Sequence, residues 1–268
     1  MVEIVPTGGA LGAEVRGVDA STPLDQSVVA RLKQGLVDEL LLFFRDQRLE
    51  DADLVRFTRY FGDARAHVRE QPDRPLKEIF VVSNVMEDGK PIGALGSGEL
   101  AFHSDLSYLP LPGLFSVVYA VEVPRRGGDT QWVNCYAAYD ALPSTLRERV
   151  LPLRAVHRHG EEKQNPATPA AHPVIRTHPQ TNRRAIFVGH QFTRYVVGVS
   201  KGESRAILEQ LLAHVSRPEF VWTHKWRVGD LVIWDNRCTL HRREAFDDRD
   251  RRVLKRTQIF GEAPYLAL

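Results

Sequence analysis

The stretch FHSDLSY, Phe102 to Tyr108, carries His103 and Asp105 two positions apart in a run of strand-forming residues. Side chains at i and i+2 leave a pleated strand on the same face, so this imidazole and carboxylate are predicted to stand side by side. Together they supply two ligands for a divalent metal; by themselves they also fit a structural histidine beside a surface aspartate. Ten histidines in one chain make such a pair easy to obtain by chance, so a third ligand has to separate the two readings. His241 offers it, in WDNRCTLHR, where the apolar run DLVIWD enters a polar turn and then a histidine. Two histidines and one carboxylate occupy one face of an octahedral metal and leave the opposite positions open, the arrangement that non-haem Fe(II) oxygenases favour. Zinc accepts the same ligands. A zinc hydrolase and a non-catalytic metal-binding sensor of a small acid are therefore the competing readings.

After His241 the chain turns through Arg242–Asp250 and comes back as RRVLKRTQIF. On a strand Arg252, Leu254, Arg256 and Gln258 share one face. Facing outward, the two guanidiniums are simply solvated. Facing inward, each costs several kcal/mol to bury unless an anion meets it. Proximity to a candidate metal ligand favours the inward reading, and the planar fork of arginine matches a carboxylate where lysine offers only a point charge.

Residues so far apart in sequence meet only if a β-rich scaffold brings them together. A strand is predicted at Ala13–Val18, then a helix through DQSVVARLKQGLVDEL, where Val28, Val29, Leu32, Leu36, Val37 and Leu40 keep the helical spacing. LLFFR, Leu41–Arg45, reads as a buried strand and Asp51–Phe61 as a second helix ended by Gly62. From Ile79 onward many short β runs are separated by Gly, Pro, Asn and Asp, with helices at Tyr136–Leu151 and Gly202–Val215. Without βα alternation or a GxGxxG turn, the expected architecture is mainly β with flanking helices: one domain, 1–268, with a jelly-roll core over about 79–262 and a strand and helix layer over 1–78. Residues 84–99 and 160–171 read as long polar connections of the kind that form binding loops.

A hydrophobic fraction of 43% with 26% charged residues is enough for a sizeable core and argues against disorder. The net charge of +2 creates no global field for nucleic acid or membrane, so anion recognition has to be local. Cys135 and Cys238 form neither a disulfide framework nor a CxxC site, which fits a reducing cytoplasm. No window approaches the ~18 apolar residues of a spanning helix.

Four motifs in order, HSD at His103–Asp105, GGDT at Gly127–Thr130, WDNRCTLHR at Trp234–Arg242 and RRVLKR at Arg251–Arg256, resemble the taurine dioxygenase and 2,4-dichlorophenoxyacetate dioxygenase family. FGDARAH, NCYAAYDALP, HPVIRTHPQTNRRAIFV and RPEFVWTHKWRVGDLVIWDNR extend the resemblance along nearly the whole chain. It implies a double-stranded β-helix, or jelly roll, in which His103, Asp105 and His241 bind Fe(II). Thr130 and Arg252 would grip the distal carboxylate of the cosubstrate 2-oxoglutarate, and Arg256 would face an anionic group of the primary substrate. With O2 as the other cosubstrate, the implied reaction hydroxylates a small organic acid and releases succinate and CO2. The carboxylate of Asp105 implies hydroxylation, because related halogenases carry a small residue there to admit halide. Hydroxylation of a carbon bearing a sulfonate, ether oxygen or amine leads on to bond cleavage.

His67 and Phe192 match substrate contacts of the taurine enzyme. Glu70 and Glu99 stand where that enzyme has a tyrosine and a polar amide. Two acids beside a small anion argue against taurine, although both also fit side chains turned to solvent. Sulfonates, alkyl sulfates and aryloxyalkanoates are the substrate classes implied, and a homo-oligomer, dimer or tetramer, is the implied assembly, with neither nucleic acid nor membrane as a partner. His157 and His159 are expected to be structural or surface residues that could instead line the pocket. Trp132, Trp226 and Trp234 are expected in the core, His178 and His190 in loops, and Cys238 as a buried apolar residue.

Overall fold

Leu41–Phe44 and Leu231–Asp235 are short runs buried at every position, as strands covered on both faces must be. The computed structural model describes residues 1–68, 71 and 74–267. These two strands pair antiparallel, Leu231 opposite Phe44 and Trp234 opposite Leu41, at the centre of a nine-stranded sheet. Its order runs Glu3–Pro6, Ala13–Arg16, Leu41–Phe44, Leu231–Asp235, Gly113–Glu122, Val253–Phe260, Phe80–Ser83, Ala94–Leu95, with Ala64–Arg65 also on Val253–Phe260. A second sheet of four strands, Val221–His224, Thr130–Asn134, Thr239–Arg243 and Leu100–His103, completes the jelly roll.

Alternation sorts the residues between two cores. Leu42, Phe44, Leu231, Ile233 and Val117 pack outward with Leu32 and Leu36 of helix α1, Gln26–Glu39, and Leu54 and Phe57 of helix α2, Asp51–Arg59. Leu41, Phe43, Val232, Trp234, Val118 and Leu254 pack the other way, with Trp132, Val133 and Leu240 of the small sheet. The first 78 residues thus supply strands to the major sheet and the helices that cover its outer face. On Val253–Phe260 the inner positions carry Leu254, Arg256 and Gln258, all buried, while Thr257 meets Thr58 of α2 with 2.6 Å between hydroxyl oxygens.

Several elements depart from the sequence expectation. The early strand stops at Arg16, because Gly17 has φ +73° and a Cβ there would lie 2.4 Å from the Met1 carbonyl oxygen. The predicted helix over Tyr136–Leu151 is two helices, Cys135–Asp140 and Ser144–Val150. Asn134 caps the first by accepting from the Tyr136 and Ala137 amides, and Pro143, which restricts the residue before it and has no N–H, separates the two. The 84–99 connection contains a two-stranded hairpin, Met86–Glu87 with Lys90–Pro91, and a strand, Ala94–Leu95, parallel to Phe80–Ser83. Asp88 and Gly89, with φ +49° and +74°, form the tight turn that the hairpin needs. Cys135 and Cys238 are free and buried, and among the described residues no helix is long and apolar enough to cross a membrane.

Two measurements test this packing. Phe57 is fully buried and its ring touches Phe44 and Phe61, each with centroids 5.4 Å apart. Phe57→Ala should cost about 3–5 kcal/mol in urea unfolding, and a loss under about 1 kcal/mol would mean that this helix–sheet layer carries little stability. His157 is 2% exposed, stacks on Phe187, and is pushed down to about 3 by burial, with His172 adding to the effect. An unfolded histidine titrates near 6.5, so between about pH 6.5 and 3 the unfolded chain binds the extra proton and stability falls as pH falls. The urea midpoint should therefore drop from pH 7 to pH 5, and drop less in His157→Phe.

Candidate active site

Antiparallel pairing sets His241, in the middle of Thr239–Arg243, directly opposite His103, the last residue of Leu100–His103. The strand ends there. Asp105 lies two residues beyond, in a turn where Leu106 takes φ +57°, so it reaches His103 by chain reversal and not by the shared strand face that the HxD spacing predicts. The turn is fixed by its backbone: the Asp105 amide donates to Asn236 Oδ1 at 3.2 Å and its carbonyl accepts from Gly113 N at 3.0 Å.

Asp105 Oδ1 stands 3.7 Å from His103 Nε2 and 3.9 Å from His241 Nε2. One potential ligand atom from each of the three side chains lies within 4.8 Å of the others, and all three residues are buried. His103 Nδ1 is 2.8 Å from the Ala101 carbonyl oxygen, which can only accept, so the Nδ1 proton is placed there and the Nε2 lone pair is left facing Asp105. Burial pulls both imidazoles below their ordinary range, His241 to about 3, and so keeps them in the neutral, ligating form. Burial would by itself raise the Asp105 carboxyl; Arg256, with a 2.7 Å bond from Ser116 Oγ, outweighs it and holds the group below the usual carboxylate range. Two neutral imidazoles and a carboxylate form a donor set suited to one divalent ion.

The arginines face inward. Arg256 donates from Nη1 to Asp105 Oδ1 at 3.3 Å and from Nη2 to His67 Nε2 at 2.9 Å, and His67 lies on Phe80 with centroids 4.1 Å apart. Arg252, just before the strand, is 2% exposed, donates from Nη2 to the Gly128 carbonyl at 3.2 Å, and leaves Nε without a partner among the described residues. Burial, with Arg243 adding repulsion, pulls its guanidinium down to about 9. Thr130 Oγ1 accepts from Trp226 Nε1 at 2.9 Å, so its own proton remains available to an anion. Phe192 meets His103 edge to face at 5.4 Å and closes one wall with Tyr108.

Of the remaining candidates, His159 lies against Tyr108 and Phe192 and lines this cleft, whereas His157 is buried behind it with Nδ1 on Ser107 Oγ. Glu99 is turned outward, exposed and 3.5 Å from Arg242. Glu70 lies outside the described residues. His190 is exposed, as expected of a loop. His178 also lies in a loop, just after the Ile175–Thr177 strand, but it is buried and paired with Asp235 at 3.1 Å, and Asp235 also takes Arg237 through Nε and Nη2. With Cys238 nearby these residues also resemble a metal cluster, but the Asp235 oxygens are already committed to that clamp. Trp132 and Trp234 are core residues as expected, and in addition they flank His241 at 6.4 and 4.9 Å. Trp226, also expected in the core, is only half-buried at its edge and donates to Thr130; Ser116 and Asn236 were missed by sequence reasoning. For Asn236 a signal existed: a run of polar residues, DNR, directly following a strand buried at every position.

The model of the family described as taurine catabolism dioxygenase TauD, TfdA family matches residues 3–258. The alpha-ketoglutarate-dependent 2,4-dichlorophenoxyacetate dioxygenase of Cupriavidus pinatubonensis is 34% identical over 274 residues, covering 94% of this chain and 95% of that one. The alpha-ketoglutarate-dependent sulfate ester dioxygenase of Pseudomonas putida is 33% identical over 285 residues, covering 98% and 91%. Among solved structures, a putative alpha-ketoglutarate-dependent taurine dioxygenase from Burkholderia xenovorans superposes with a TM-score of 0.86 at 33% identity, covering 98% of this chain and 94% of the other. With its length, its fold and its motifs all matched, the chain belongs to the TauD/TfdA dioxygenase family.

Proposed function

We propose that residues 1–268 act as one oxygenase domain that hydroxylates a small organic anion, an aryloxyalkanoate or an alkyl sulfate in preference to an aminosulfonate. The enzyme is an oxidoreductase using Fe(II), 2-oxoglutarate and O2. In this proposal His103, Asp105 and His241 hold the iron, Thr130 and Arg252 hold the distal carboxylate of 2-oxoglutarate, and Arg256, His67 and Phe192 contact the substrate. When bound, Fe(II) with 2-oxoglutarate and O2 supplies the oxidation: the 2-oxo acid loses CO2 to become succinate, and one oxygen atom enters a substrate C–H bond.

The observation that carries the reading is the pairing of a neutral-imidazole and carboxylate cluster with a second, separate anion clamp. Arg252 Nε is buried and finds no partner among the described residues, and a hydrolase has no need of a carboxylate grip at a fixed distance from its metal. The family relationship likewise sets aside the zinc hydrolase and the metal-binding sensor. The chain's own residues orient and exclude water: Arg256 aims the anionic end of the substrate, while Phe80, Leu95, Leu100, Tyr108 and Phe192 provide an apolar enclosure. Among the described residues of that cleft Asp105 is the only carboxylate, and in this reading it is committed to the metal, so no second anion there would balance an ammonium group. Hydroxylation next to an ether or ester oxygen yields a carbon bearing two oxygens, which collapses to a carbonyl and releases the phenol or the sulfate. Relatives named for 2,4-dichlorophenoxyacetate, sulfate esters and (S)-phenoxypropionate support these classes. A cytoplasmic location, in keeping with two free thiols, and a homo-oligomeric state belong to the same proposal.

Succinate release, measured against a panel of aryloxyalkanoates, alkyl sulfates and taurine, should occur with members of the first two classes and not with taurine. Asp105→Ala should abolish it. Arg252→Met should raise the KM for 2-oxoglutarate at least about tenfold, the effect of losing about 1.4 kcal/mol, with the substrate KM little changed. Arg256→Met should do the reverse. Equal loss of 2-oxoglutarate affinity in both variants would refute the division between the two arginines.

A further inference from the structure

Arg243 follows His241 by two positions on the Thr239–Arg243 strand, and it stands directly opposite Thr130 as His241 stands opposite Trp132. Its side chain therefore leaves the small sheet on the face that carries His241 and Thr130. It is 4% exposed. Nη2 donates to the Gly98 carbonyl and, at 3.0 Å, to that of Leu95, while Nε and Nη1 find no partner among the described residues. Arg252 presents a second unpaired Nε, and both guanidinium carbons lie over the Phe246 ring, at 5.4 and 5.8 Å. Neither arginine makes an ion pair among the described residues, and Asp129 is the one carboxylate whose charge registers at Arg252.

Two like charges buried around one ring, with three guanidinium nitrogens that find no partner among the described residues, are an unfavourable arrangement for a protein without a ligand. A strut holding two carbonyls would not need them. A carboxylate has about four lone-pair sites, enough for the Arg252 fork, a donor from Arg243 and the Thr130 hydroxyl together.

We propose that Arg243 is a second guanidinium for the distal carboxylate of 2-oxoglutarate, closing on it from the side opposite Arg252. The inference rests on the function proposed above and adds to it a binding residue that the motif resemblance does not supply. It distinguishes a diacid from a monoacid, because Arg243 acts only on the far end of the cosubstrate.

The test is calorimetric titration of the full chain, loaded anaerobically with Fe(II), with 2-oxoglutarate and with 2-oxopentanoate, which keeps the 2-oxo acid head and chain length but ends in a methyl group. Arg243→Met should raise the 2-oxoglutarate Kd at least about tenfold and leave the 2-oxopentanoate Kd within about twofold. Arg243→Lys, which keeps the charge and loses the fork, should weaken 2-oxoglutarate by a smaller factor, again without moving 2-oxopentanoate. This second variant decides the matter if the first does not fold. The same proportional loss for both ligands would make Arg243 a strut for the Leu95–Gly98 carbonyls and overturn the inference, as would no change for either. An unaltered Arg243 variant beside an Arg252→Met that loses 2-oxoglutarate would sink this inference alone. A wild-type chain showing no preference for the diacid would sink the proposed function with it.

Discussion

Between the Leu100–His103 and Thr239–Arg243 strands, one antiparallel pairing puts His103 opposite His241, and the chemistry of the protein depends on that register. A slip of one residue would turn His241 to the far face and bring Leu240 or Arg242 into its place. Packing prevents the slip. Leu240 is locked into the inner core, and Trp132 and Trp234 close on the His241 ring. On the other side Ser104 Oγ donates to the Asn236 carbonyl and Asn236 Oδ1 takes the Asp105 amide, so the turn carrying the carboxylate is tied to the turn that launches the second histidine. The ligands converge because two reversals of the chain are hydrogen-bonded to each other.

Charge is distributed in a way that only a ligand makes sense of. Asp105 is the one carboxylate of the three-residue cluster and pairs with the buried Arg256, while Arg243 and Arg252 are two further buried cations with no ion pair among the described residues. The overall charge of +2 gives no hint of this, because the surface ion pairs balance one another. A fold optimised for stability alone would replace such groups with apolar ones. Keeping Arg243 and Arg252 buried and short of partners is the kind of local disagreement with folding that marks a binding site, and the proposed function places the anion-binding end of the reaction there.

Much of this was legible in the sequence where periodicity and burial agree. The two N-terminal helices, the LLFFR strand and the shared face of Arg252, Leu254, Arg256 and Gln258 follow from residue spacing, the inward direction of that face follows from its proximity to a candidate metal ligand, and His103, Asp105 and His241 do come together. Other features were hidden for identifiable reasons. DLSY has strand-forming composition, yet the chain leaves the strand at His103 because the Asp105 backbone is taken by Asn236 and Gly113, partners distant in sequence. His178 sits in HPQTN, a turn by composition, but an acid 57 residues away buries it. Arg243 belongs to the charged run HRRE, which reads as solvated surface until the strand pairing shows that alternate members point inward. In each case the deciding partner is remote, so local pattern could not reveal it.

The same division explains why the reaction class was easier to derive than the substrate. His103 and His241 of the metal cluster and Thr130 of the proposed cosubstrate clamp lie on paired strands whose register is over-determined, whereas the proposed substrate wall comes from Leu95, Leu100, Phe80, Tyr108 and Phe192, whose side chains set shape and not chemistry. Glu99 illustrates the point. Read along the chain it threatens an acid beside an anionic substrate; in space it turns out to Arg242 and is absent from the lining of the cleft, where Arg256 stands among largely apolar and aromatic side chains. Arg256 already shares its donors between Asp105 and His67, so an incoming anion competes with groups in place and gains most if its remaining surface is apolar. A compact, doubly polar substrate gains least from such a cleft, which is the physical reason to place the specificity of this chain with apolar-tailed monoanions.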